Sequence, residues 1–232
     1  MKKMKTVIIT GGNGNLGLAV TKEFLYKNYR VLATISNENG RSDFEAHPHL
    51  DISVVDLTDE NKTAAFVRQC IEKYRTVDAA ILLVGGFAMG DFAATTGTDI
   101  HKQIALNFET AYYVTRPLFP HLLENKRGSI IFIGARPALN ASDGKEAIAY
   151  SLSKSLLFKL ADILNEVSKG LNVSVSVVVP SIVDTPSNRR SMPDADPDKW
   201  VKPFEIAQTL EFLVSDKSKA LKGTVLKLYN NA

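Results

Sequence analysis

The feature that most restricts how this chain can fold is a run of glycines placed directly after its first apolar strand. Thr6 to Thr10 is a short β-branched run, and it leads into Thr10-Gly11-Gly12-Asn13-Gly14-Asn15-Leu16-Gly17 and then a helical pattern. Gly12, Gly14 and Gly17 have the spacing G-x-G-x-x-G. Glycine at these places permits a tight turn, lets backbone approach a pyrophosphate and brings the helix close to the strand, while the helix's opening N–H groups face phosphate charge. Gly11, Gly12, Asn13, Gly14, Asn15, Leu16 and Gly17 are therefore the candidate phosphate cradle. The same glycines elsewhere would be an ordinary flexible loop; a strand on one side and a helix on the other favours binding. No Gly-Lys-Ser or Gly-Lys-Thr follows, which argues against a nucleoside-triphosphatase loop.

The rest of the chain alternates in the same way. Strand-like runs recur at Val31 to Ile35, Ile52 to Val55, Ala79 to Val84, Ser129 to Ile133, Val173 to Val179 and Thr224 to Leu228. Helical spacing separates them at Leu16 to Lys27, Glu60 to Tyr74, Asp99 to Leu123, Ala149 to Val167 and Glu205 to Val214. Strands such as Ile81 to Val84 are apolar throughout, as central parallel strands covered on both faces are. The expected architecture is α/β: a doubly wound Rossmann fold with a parallel sheet of about seven strands and helices on both faces, its ligand site beyond the strands' carboxyl ends. One domain over residues 1–232 is expected, with Pro180 to Pro203 a site-covering loop.

With 45% hydrophobic residues the chain can bury a large core, and a net charge of +3 gives no field for nucleic acid or an anionic membrane. The expected partner is a small molecule. The only cysteine, Cys70, leaves no disulfide within the chain and points to a reducing compartment, and the apolar run Val7 to Ile9 is too short for a signal-peptide core, so a cytoplasmic location is expected. His47, His49, His101 and His121 lack metal-ligand spacing, and no metal is assigned.

An acidic residue at the end of the second strand would bond a ribose 2′-hydroxyl and repel a 2′-phosphate. Ile35, Ser36 and Asn37 stand there instead, which favours NADP with NAD as the alternative; Arg41 is either a supporting cation or a solvated loop residue. After the third strand come Asp56 and Leu57, with Asp56 either a helix cap or an adenine contact. Tyr150-Ser151-Leu152-Ser153-Lys154 opens an apolar helix, and the separation of four puts phenol and ammonium on one face, about 40° apart. A cation there would lower the phenol pKa and fit it for proton exchange; a plain surface contact is the other reading.

Taken together, Thr10-Gly11 with Gly17, then Asp56, Asn107, Tyr150 with Lys154, and Pro180 with Thr185 resemble the short-chain dehydrogenase/reductase family in order and context, from the first strand to about Gly223. Within that family the segment from Asp184 to Asp196, with Trp200 beyond it, and the turn Gly85-Gly86-Phe87 are most similar to the dihydropteridine reductases and their bacterial relatives. The resemblance implies an NAD(P)-dependent oxidoreductase working as a homodimer or homotetramer. It makes Tyr150 the proton donor or acceptor, and Lys154 the group that bonds the nicotinamide ribose and acidifies the tyrosine. Asn107 would hold a proton-relay water, and Gly85, Gly86 and Pro180 would line the cofactor. Ile182, Val183 and Thr185 would hold the carboxamide, and Phe87, Ala135, Asn188 and Met192 would face the substrate. Faces including Tyr112, Tyr113, Leu156, Leu157 and Phe158 would join the subunits as paired helices, or else belong to fully buried core helices.

The chain departs from the family pattern at three places: Asn15 where glycine is usual, Val84-Gly85-Gly86-Phe87 in place of Asn-Asn-Ala-Gly, and Gly134-Ala135-Arg136-Pro137 where the family places its serine. Losing that hydroxyl costs on the order of 3 kcal/mol for an ordinary ketone. A conjugated acceptor, pterin-like or quinonoid, spreads its charge and needs the donor less. Ser142 is a stand-in candidate, Asn188-Arg189-Arg190 a candidate anion or carbonyl contact, and Met192 and Trp200 either lid or packing residues. The competing class is a nucleotide-binding regulator or redox sensor of low turnover.

Overall fold

The computed structural model describes residues 4–231; residues 1–3 and 232, the ends of the expected 1–232 domain, lie outside them. In chain order the elements are β1 (Thr6–Thr10), α1 (Asn15–Tyr26), β2 (Arg30–Ile35), β3 (Leu50–Val54), α2 (Glu60–Tyr74), β4 (Ala79–Leu82), α3 (Gly97–Ile104) and α4 (Thr110–Glu124). There follow β5 (Arg127–Ile133), α5 (Ala141–Gly144), α6 (Ile148–Val167), β6 (Asn172–Pro180), α7 (Pro186–Ser191), α8 (Pro203–Val214) and β7 (Val225–Leu228). The strands pair in the order β3-β2-β1-β4-β5-β6-β7, every pair parallel, which is the doubly wound Rossmann sheet.

The period-two alternation of each strand divides the core between two faces. Ile8 of β1 joins Leu32, Leu118 and Leu157 on the face covered by α2, α4 and α6. Its neighbours Val7 and Ile9 join Val20, Phe24, Ile206 and Leu210 on the face covered by α1 and α8. Each such side chain stabilises by about 1.5–3 kcal/mol on burial, so a one-residue slip of β1 would exchange both faces at once. Strand order reverses at β1, between β2 and β4, and the glycine turn lies at that reversal, where a doubly wound sheet has its ligand crevice.

Two expectations change, and one that left two readings is decided for packing. The helix expected over Asp99 to Leu123 is divided by a π turn, Ala105–Glu109, between α3 and α4. The extra residue lets Asn107 face inward where the regular helix would carry it past the site. The expected loop from Pro180 to Pro203 contains α7, started by Pro186 after the capping Thr185, and a β-bridge joining Val183 to Val201. Trp200 is 2% exposed and anchors that segment to the domain instead of covering the site. Among the described residues no helix is long and apolar enough to cross a membrane.

The glycine turn carries a steric demand that can be measured. A Cβ at Gly17 would lie 2.1 Å from the Gly11 carbonyl oxygen, backbone that cannot give way, whereas one at Gly97 meets nothing within 4 Å. We expect Gly17→Ala to lose about 2–3 kcal/mol in urea unfolding and Gly97→Ala to lie within about 0.5 kcal/mol of wild type. Equal midpoints for both would contradict the packing described.

Candidate active site

The crevice is built from backbone held at close quarters. Gly11 adopts φ +62°, a left-handed conformation glycine takes without strain. Its N–H donates to Thr34 Oγ1 at 3.3 Å, the Gly12 N–H to Thr34 O at 2.9 Å, and Thr10 Oγ1 accepts from the Leu83 N–H at 2.9 Å. Two strand-end threonines thus pin the turn to its neighbours. A Cβ at Gly12 would lie 2.9 Å from Ala33 Cβ, so strand and turn touch. α1 begins at Gly14 with no side-chain cap and no acidic residue in its first turn. Such a turn leaves N–H donors for an anion, and the residues present fit a dinucleotide diphosphate. Asn13 donates to Asp43 at 3.2 Å, which draws the short 3₁₀ turn Glu38–Asp43 over the cradle.

The next strand end brings the reacting groups in. A Cβ at Gly11 would meet Val84 at 3.2 Å, so the cradle abuts the turn that follows β4. A Cβ at Gly85 would lie 2.6 Å from Asn107 Oδ1 and 3.0 Å from Lys154 Nζ, so only glycine leaves room for both side chains. Asn107 holds Gly86 at two points: Oδ1 accepts its N–H at 2.9 Å and Nδ2 donates to its carbonyl at 3.1 Å. Lys154 is buried on α6 and donates to the Ile133 carbonyl, at the end of β5, at 2.9 Å. One helical turn earlier Tyr150 lies edge-on to Phe87, ring centroids 5.0 Å apart. Tyr150, Lys154, Asn107, Gly85, Gly86 and Phe87 thus converge beside the glycine turn.

The electrostatics differ from the expectation at one point. Burial lowers Lys154 to about 8, because its ammonium has left water. Burial also raises Tyr150 to about 12, and no contribution from Lys154 opposes it. The expected acidification of the phenol is therefore absent from this geometry: the ammonium is directed to Ile133 O, and an aromatic ring, not a cation, packs against the phenol ring.

The remaining candidates divide. Asp56 is no cap of α2, since Asp59 accepts the Lys62 N–H in that role; Asp56 takes both the N–H and hydroxyl of Thr58 and stays exposed at the crevice edge. The Leu57 side chain is buried in the core, which leaves only its backbone for a ligand. Ser36 is exposed beyond β2, and the Arg41 guanidinium pairs with Glu38 and donates to Ile52 O at 2.9 Å. Ala135 is buried, and Ser142 turns away to Asn140 Oδ1 at 2.9 Å within the capped turn of α5, so it does not replace the missing hydroxyl.

Asn188 donates to Val183 O at 2.8 Å, and Arg189 pairs with Asp184 through two bonds of 2.6 and 2.9 Å. Arg189 and Lys202 hold the Asp184 carboxyl well below the usual carboxylate range. Two members of the expected anion contact are thus engaged within their own segment, leaving Arg190 exposed and Met192 partly covered. Thr185 caps α7, and Ile182 O accepts the Val201 N–H at 2.9 Å, so the stretch from Pro180 onward is rigid backbone at the end of β6. Thr34, Gln103 and Ser153 were not singled out from the sequence. Gln103 and Ser153 both bond Asn107, at 2.8 and 3.2 Å. Gln103 carried a usable signal, lying four residues before Asn107 in an apolar helix.

A model of the short chain dehydrogenase family matches residues 5–196. The dihydropteridine reductase of Dictyostelium discoideum is 27% identical, covering 96% of this chain and 94% of its own. An uncharacterized oxidoreductase, YvrD, of Bacillus subtilis is 25% identical over 97% of this chain and 95% of its own, and the 3-oxoacyl-[acyl-carrier-protein] reductase FabG of Thermotoga maritima is 25% identical over 96% and 95%. Among solved structures, ElxO with NADP bound superposes with a TM-score of 0.91 at 21% identity, covering 97% of each chain.

The buried lysine gives a pH test of nucleotide binding. On the expectation that Lys154 bonds a ribose hydroxyl, loss of the ammonium charge as pH rises through about 8 would exchange a charge-assisted hydrogen bond for a weaker neutral one. NADP affinity by titration calorimetry is expected to fall across that range, and Lys154→Arg, which stays charged, to remove the fall. An affinity flat from pH 6.5 to 9.5 in the wild type, allowing about 0.3 log units, would contradict this role.

Proposed function

The chain belongs to the short-chain dehydrogenase/reductase family, and on that premise we propose that it reduces a small conjugated or carbonyl acceptor with NADPH, Tyr150 giving the proton. The observation that carries this reading is the placement of Tyr150 and the buried Lys154 one turn apart on α6, at the same sheet edge as the glycine turn. When bound, the reduced nicotinamide supplies hydride. The chain's own groups do the rest: the first turn of α1 receives the diphosphate, Lys154 bonds the ribose, the Ile182–Thr185 backbone fixes the carboxamide, and the Tyr150 hydroxyl transfers its proton to the acceptor. A phenol raised to about 12 is protonated at every physiological pH, which suits a donor in the direction of reduction.

Ala135 guides the choice of acceptor. With no hydroxyl from the end of β5 and Ser142 turned away, a simple ketone would forgo about 3 kcal/mol of oxyanion stabilisation. A quinonoid or pterin-like acceptor delocalises that charge, and the Dictyostelium relative bears the name dihydropteridine reductase. Phe87, Met89 and Phe92 are 61%, 70% and 87% exposed and give the mouth an apolar rim suited to a flat conjugated ring. NADP is preferred to NAD because Ser36 and Asn37 present hydroxyl and amide groups, not carboxylate, beyond β2. The same lack of a hydroxyl at Ala135 supports the second reading, a nucleotide-binding sensor of low turnover. A homodimer or homotetramer through α4 and α6 is also proposed, since Tyr112 and Leu156 are 38% and 37% exposed, although Leu157 belongs to the core and Phe158 packs against it. A monomeric mass by light scattering would contradict that assembly.

The test is NADPH oxidation against a panel of quinonoid pterins, quinones and simple ketones. Conjugated acceptors are expected to turn over, NADPH to outrun NADH, and Tyr150→Phe to lose at least about a hundredfold in kcat while keeping nucleotide affinity. Tight NADPH binding with no turnover, unchanged by Tyr150→Phe, would establish the sensor instead.

A further inference from the structure

We propose that Gln103 is a positioning residue of the reduction site, acting through the Asn107 amide on the turn that carries Phe87. The proposal rests on the reading of Tyr150 and Lys154 as the reacting pair. Asn107 is 1% exposed, and its Nδ2 has two hydrogens. Three acceptors surround that nitrogen: Gln103 Oε1 at 2.8 Å, Gly86 O at 3.1 Å and Ser153 Oγ at 3.2 Å. Gln103 is the nearest. Ser153 Oγ in turn gives its own proton to the Tyr150 carbonyl at 2.7 Å, so its lone pairs are left for the amide.

The consequence is directional. With oxygen from Gln103 and Ser153 on its nitrogen side, the Asn107 amide is fixed with Oδ1 toward the Gly86 N–H. Exchanging its two ends would set N–H against N–H at Gly86 and oxygen against oxygen at Gln103, in a buried site where an unmade hydrogen bond costs most. Gly86 lies between the two contacts that define the site. Gly85 before it abuts Lys154 Nζ, and Phe87 after it packs against Tyr150. Without the Gln103 oxygen the Asn107 amide loses its shortest bond and its nitrogen side is held away from the Gly86 N–H by Ser153 Oγ alone, at 3.2 Å, so the two-point hold on Gly86 loosens. Phe87 then no longer fixes the wall against which the phenol and the acceptor meet. Gln103 touches neither substrate nor cofactor in this account, which is why it positions and does not react.

Gln103→Met keeps the length and removes the acceptor; Gln103→Glu keeps an acceptor oxygen at the same reach. In the full-length protein we expect Gln103→Met to speed hydrogen exchange of the Gly86 amide about tenfold and to lower kcat about tenfold, with KM for NADPH changed less than about twofold. Gln103→Glu is expected to restore most of both. Unchanged Gly86 exchange in Gln103→Met would overturn the proposal. So would equal losses in the two variants that merely follow their melting temperatures, because a purely structural residue behaves so. The Gly86 exchange reports on the positioning alone, whereas full turnover in Tyr150→Phe would overturn the functional reading beneath it.

Discussion

One buried hydrogen bond, from Lys154 Nζ to the Ile133 carbonyl, joins the parts of this molecule that have to meet. An ammonium taken from water is costly, and it is retained only where something answers its charge. Here the carbonyl at the end of β5 does so on one side, while on the other the chain keeps Gly85 without a side chain, leaving the ammonium next to the turn after β4. That turn rests against Gly11 through Val84, and Gly11 opens the phosphate cradle. The arrangement follows from a parallel sheet whose order reverses at β1, because only there do the ends of β1, β4 and β5 stand side by side with a crevice between them.

Burial shapes the two ionisable groups in opposite senses. It makes the lysine a weaker base than a free amine and the tyrosine a weaker acid than a free phenol. The pair expected from spacing alone, a cation acidifying a neighbouring phenol, is replaced by two neutral-leaning groups that each dislike charge in the interior. On the proposed reading, such a phenol would keep its proton until the reduced acceptor is basic enough to take it. On that reading the same desolvation would work against an acceptor bearing a localised oxyanion near Ala135, in keeping with the conjugated acceptor proposed.

Much of this was legible in the residues because it depends on local rules. Thr6 to Thr10 alternates toward two cores and is followed by glycines at fixed offsets, which points to the cradle, and the alternation of strand and helix along the chain points to the parallel sheet. Tyr150 and Lys154 share a helix, so their common face follows from the helical repeat. What stayed hidden depends on contacts across elements. Spacing cannot show that Lys154 turns to Ile133 O, that Asn107 sits on a π turn, or that Asp59 and not Asp56 caps α2. The segment after Pro180 read as a loop because its prolines and charges are typical of one. Its order comes from the Val183–Val201 bridge and from Asp184 gripping Arg189 and Lys202, none of which is local.

The central claim is that Lys154 sits desolvated beside the nicotinamide-binding crevice, and a direct measurement is the titration of its ε-carbon by NMR in protein labelled at lysine, with Lys154→Arg to assign the signal. The account predicts a midpoint near 8 in the free protein that moves when NADP is added, since the ribose would meet the ammonium. A midpoint at the ordinary lysine value of about 10.4, indifferent to NADP, would place the ammonium in water and away from the cofactor, and the account would be wrong.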